Sequence, residues 1–157
     1  MANLWTPIYG IKINEKEAIS FLDKICVKIE DIDDLYEERL ILPHNLTIFQ
    51  AHFGVLSPDV TTFVVGIRGI DYYENEKISK KNFETYSKFF KREEFDEDRM
   101  PLNVYPFGSG RSVFSAEEII EFFEKIRNDL KMKFEEVPQE MFNEMNKPKL
   151  YFIDRSF

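Results

Sequence analysis

The stretch Val60-Thr61-Thr62-Phe63-Val64-Val65-Gly66-Ile67-Arg68 is the densest run of β-branched and aromatic residues in the chain, and it reads as the strand around which the rest is built. Phe63, Val65 and Ile67 fall on one face at period two, while Thr62, Val64, Gly66 and Arg68 fall on the other. The first is therefore the expected core face. Gly66 and Gly69 leave room for a bulge or for the close approach of another backbone.

Upstream of it, Leu46-Thr47-Ile48-Phe49-Gln50-Ala51-His52-Phe53 also alternates, and Ser57-Pro58-Asp59 between the two runs is a turn signal. The two runs are expected to form a hairpin with a longer loop, with Phe49, Ala51 and Phe53 joining the Phe63 face. Pro43-His44-Asn45 breaks the chain ahead of this pair. Nearer the N-terminus, Ile8 to Ile13 predicts a first strand with Tyr9, Ile11 and Ile13 on one face. Asn14 and Glu17 have the spacing of a capping box, and Ala18, Leu22, Ile25 and Ile29 follow at helical spacing. This predicts a helix over about residues 15 to 28, with Cys26 inside its apolar pattern as a small buried hydrophobe.

Downstream, Phe83, Tyr86 and Phe90 share a helical face after the cap residue Ser79, in a helix locally rich in Lys80, Lys81, Lys88, Lys91 and Arg92. Leu102 to Tyr105 reads as a short strand ended by Pro106. Ser115-Ala116-Glu117-Glu118 is a second capping box, and Ile119, Phe123, Ile126 and Leu130 form an apolar stripe over a helix at about 116 to 133. Pro138 and Pro148 bracket an irregular tail, after which Leu150 to Ile153 is expected to return as an edge strand. The order of elements predicts one α+β domain over residues 1–157, an antiparallel or mixed sheet with helices packed on it. The split βαβ, or ferredoxin-like, plan fits that order, with the last helix and strand as a C-terminal extension.

The chain has 157 residues, 43% of them hydrophobic and 15% aromatic, which suffices for a core that needs no covalent staples. Its formal net charge of -8 disfavours nucleic acid, since that binding rests on neutralising phosphates. The aromatic strand motif of RNA-recognition domains is also missing. An acidic surplus suits a basic protein partner, or simply solubility. The single cysteine excludes an internal disulfide and any cysteine-rich zinc site, in keeping with a reducing compartment. No secretory leader is read at the N-terminus, and no apolar run approaches the roughly 18 residues of a membrane helix. A cytoplasmic protein without a cofactor or membrane contact is expected.

Two stretches are candidate sites. The first is the acidic run from Glu30 to Leu42, with Asp31, Asp33, Asp34, Glu37 and Glu38 as partner-binding candidates. Asp31 and Asp33 open like a calcium loop, but Leu35 stands at the third ligand position and Tyr36 at the required glycine, so no EF-hand is read. The ordinary reading of this run is a solvated face with Ile32, Leu35 and Tyr36 tucked inward. The second is the loop Phe107-Gly108-Ser109-Gly110-Arg111-Ser112. There Gly108 and Gly110 let backbone amides approach an anion, Arg111 neutralises it, and Ser109 or Ser112 donates to it. A plain turn is its ordinary reading, because Glu117 and Glu118 already occupy the start of the following helix.

His44 and His52 are the only histidines, and a spacing of eight does not imply chelation. A Cys26–His52 nucleophile pair would require the two to meet, which a helix facing a sheet permits. A reactive cysteine needs an electropositive and partly open setting, however, and the ordinary reading is a buried inert thiol and a surface imidazole. No nucleophile elbow, HExxH helix or Walker loop occurs. Trp5, Tyr9, Tyr72 and Tyr73 are possible interface anchors or ordinary packing residues. Two function classes follow. One is a noncatalytic acidic binding module, such as a small inhibitor or immunity-type protein acting on a basic partner. The other is a small enzyme or ligand-binding protein holding an anion at Gly108 to Ser112.

Overall fold

Period-two apolar residues pair into a sheet only if their partners can reach them, and here they do. A computed structural model of the chain describes residues 5–36, 40–51, 62–69, 113–142 and 145–154. Strands β1 (Trp5–Asn14), β2 (Thr47–Ala51), β3 (Thr62–Arg68) and β4 (Lys149–Asp154) form a four-stranded antiparallel sheet in the order β2-β3-β1-β4. The helices are α1 (Glu15–Lys24), the single turn α2 (Asp33–Tyr36) and α3 (Ala116–Glu135). β3 lies between β1 and β2, and β1 lies between β3 and β4. Each strand-helix-strand half thus has a strand of the other half inserted, which is the split βαβ plan. Among the described residues, the C-terminal helix and strand expected as an extension supply its second half. The expected helix near residues 79–90 and strand at 102–105 lie outside the described residues.

The register fixes which side chains share a face. Ile13 pairs with Phe63, Ile11 with Val65 and Tyr9 with Ile67 across β1 and β3. Across β2 and β3, Ile48 pairs with Val65, Phe49 with Val64 and Ala51 with Thr62. The first face therefore carries Tyr9, Ile11, Ile13, Ile48, Phe63, Val65 and Ile67, as expected for all but β2. Phe49 and Ala51 lie on the Val64 face, not on the Phe63 face. The sheet buries both faces, with Val64 as inaccessible as Phe63, so apolarity alone does not say which way β2 turns.

The chain divides into two compact units. In the unit of residues 8–68 and 130–151, α1 contacts β3 and α2 contacts β2. Ala18, Phe21 and Leu22 are the buried stripe of α1. Phe142, on a short 3₁₀ helix Gln139–Phe142, stacks on Phe134 at 4.8 Å and on Phe21 at 5.7 Å between ring centroids. Tyr9 meets Phe134 edge-on at 5.5 Å. Aromatic pairs of this kind contribute about 0.5–1.5 kcal/mol each beyond the area they bury. Tyr9 is thus a core residue and not an interface anchor. The Gln139 amide donates to the carbonyls of Phe134 and Val137, satisfying the end of α3, and Lys24 donates to the Glu140 carbonyl.

The other unit comprises residues 1–7, 69–129 and 152–157. Within it the Gly69 amide donates to the Pro7 carbonyl at 2.7 Å. Phe123 packs between Phe122 and Phe152, at 5.7 and 5.1 Å. The buried positions of the part of α3 in this unit are Phe122 and Ile126, with Phe123 only half-buried; Leu130 and Phe134, also buried, belong to the first unit.

Both capping boxes form. Asn14 accepts from the Glu17 amide at 2.8 Å and donates its own amide to the Glu17 carboxylate at 3.2 Å. Ser115 accepts from the Glu118 amide at 3.1 Å. Each cap stabilises its helix by about 1 kcal/mol.

Candidate functional site: the acidic turn between α1 and β2

Helix α1 ends sooner than its apolar spacing predicts. The Cys26 amide donates to the Asp23 carbonyl at 3.0 Å and the Val27 amide to the Leu22 carbonyl at 2.9 Å, with Cys26 at φ 61°. This is a Schellman termination with cysteine at the position that glycine usually fills. Cys26 is exposed, and not the buried hydrophobe its spacing suggests, because the left-handed residue turns the chain away from the helix axis.

The acidic run begins four residues later and is organised by its own carboxylates. The Asp33 amide donates to Asp31 Oδ1 at 3.2 Å, and the Asp34 amide to the Asp31 carbonyl at 3.0 Å. The Asp31 amide in turn reaches Asp34 Oδ2 at 3.4 Å. Asp31 and Asp34 thus tie off the start of α2, a local use of aspartate that competes with other secondary structure. The Asp33 side chain is exposed.

The turn is pinned from below. Leu35 is fully buried, which stabilises the arrangement by about 2 kcal/mol. The Tyr36 ring meets Phe63 edge-on at 5.5 Å, and the Tyr36 hydroxyl donates to the Glu15 carboxylate at the start of α1. Leu35 and Tyr36 therefore point inward as expected. Ile32 does not: it is 41% exposed, between two aspartates. Ile32 precedes the helical turn, whose buried residue is Leu35. Ile41, in the same run, is 92% exposed, while Leu42 beside it is buried. Leu40, Ile41 and Leu42 are an unbroken apolar run, so residue type alone does not distinguish the exposed Ile41 from the buried Leu42.

The remaining candidates separate. Glu37 and Glu38 lie outside the described residues, as do His52, Tyr72, Tyr73 and the whole loop from Gly108 through Ser109, Gly110 and Arg111 to Ser112. His44 is exposed in the tight turn Pro43–Asn45, where His44 and Asn45 have φ of 58° and 59° and the Leu46 amide closes on the Pro43 carbonyl at 3.2 Å. Among the described residues, no group of three or more His, Cys, Asp or Glu side chains is placed to hold a metal ion. No described helix is long and apolar enough to cross a membrane.

Comparison with protein-family models, with characterised proteins and with solved structures finds no match to this chain.

Proposed function

We propose that this protein is a noncatalytic binding module of the inhibitor or immunity type, acting in the cytoplasm on a basic protein partner. The observation that carries the reading is the exposed Ile32 held between Asp31 and Asp33 on a turn anchored by Leu35 and Tyr36. An exposed apolar side chain flanked in sequence by two aspartates suits a partner surface that presents lysine or arginine beside an apolar hollow. Ile41 extends the apolar content of the same run. The formal charge of -8 favours association with a basic protein through long-range attraction, which acts mainly on the on-rate. Anchoring the turn from below reduces the ordering cost on binding.

Affinity capture from a lysate of the native host or target cell, washed at low and at high salt, tests the reading. It predicts a single stoichiometric basic protein whose retention weakens as salt rises. A capture that recovers no partner, or one whose retention is indifferent to salt, counts against it.

A further inference from the structure

We draw no further inference here: the strongest candidate, the exposed isoleucine pair Ile32 and Ile41 in the segment between α1 and β2, belongs to the surface already assigned above, and nothing in the structure shows what covers it.

Discussion

Gly10 and Gly66 face each other across the β1/β3 ladder with no space for a side chain on either. A Cβ placed on Gly10 falls 2.7 Å from the Gly66 Cα, and one placed on Gly66 falls 2.5 Å from the Gly10 Cα. Both glycines are buried on the Val64 face of the two central strands. The close backbone approach that Gly66 allows is thus made by another glycine, at the centre of the sheet.

Alanine at either position must push the two strands apart. Gly10→Ala and Gly66→Ala are each expected to lower the unfolding free energy by about 3 kcal/mol, the upper part of the range for overpacked cores. Urea titration reads this as a lower midpoint at similar slope. A variant that keeps the wild-type midpoint would show that the strands are not held this close.

Cys26 offers the opposite experiment. Its left-handed backbone at the end of α1 costs a residue with a Cβ about 1 kcal/mol relative to glycine. Cys26→Gly is therefore expected to raise stability by about that amount, and Cys26→Ala to leave it nearly unchanged. Because the thiol is exposed, the folded protein should react with a thiol-specific dye without denaturant. A thiol that reacts only after unfolding would contradict this placement.

Thr6 is fully buried, and its hydroxyl has no hydrogen-bond partner among the described residues. Thr6→Val keeps the shape and removes the desolvated polar atom, so a gain of about 1 kcal/mol is expected. A loss of similar size, measured by thermal unfolding, would mean that the hydroxyl is satisfied in solution.

Burial raises the pKa of the Tyr151 phenol above its ordinary value. The folded state therefore favours the neutral phenol. This contribution is fully present below the ordinary tyrosine pKa, near 10, and is lost as pH rises through the higher folded value. Comparing Tyr151→Phe with wild type across that alkaline window, the wild type should lose stability more steeply. Parallel curves would remove the effect.

Much of this architecture is legible in local sequence because local chemistry decides it. The Asn14/Glu17 and Ser115/Glu118 pairs announce their helices, and the alternation in Ile8 to Ile13 and Phe63 to Ile67 announces strands that do pair. What escapes is whatever depends on a distant neighbour. The facing of β2 is set by Thr47 meeting Gly66, a pairing that no pattern within Leu46 to Phe53 encodes when both sheet faces are buried. The end of α1 escapes because cysteine occupies a position where glycine would have signalled the stop. In the acidic run, composition reveals the charge but not that Ile32 is exposed while Leu35 is buried.

The measurement closest to the central claim is the capture experiment run side by side on the wild type and on an Asp31→Asn/Asp33→Asn variant, with Ile32→Ser as a third arm. Circular dichroism and urea midpoints establish that each variant is folded, since Asp31 also caps α2. The account predicts that the wild type retains one basic protein. Asparagine at both positions should slow association by about tenfold at low salt, and Ile32→Ser should hasten dissociation. A partner retained equally by all three proteins, or no specific partner for the wild type, would contradict the assignment of this turn as the binding surface.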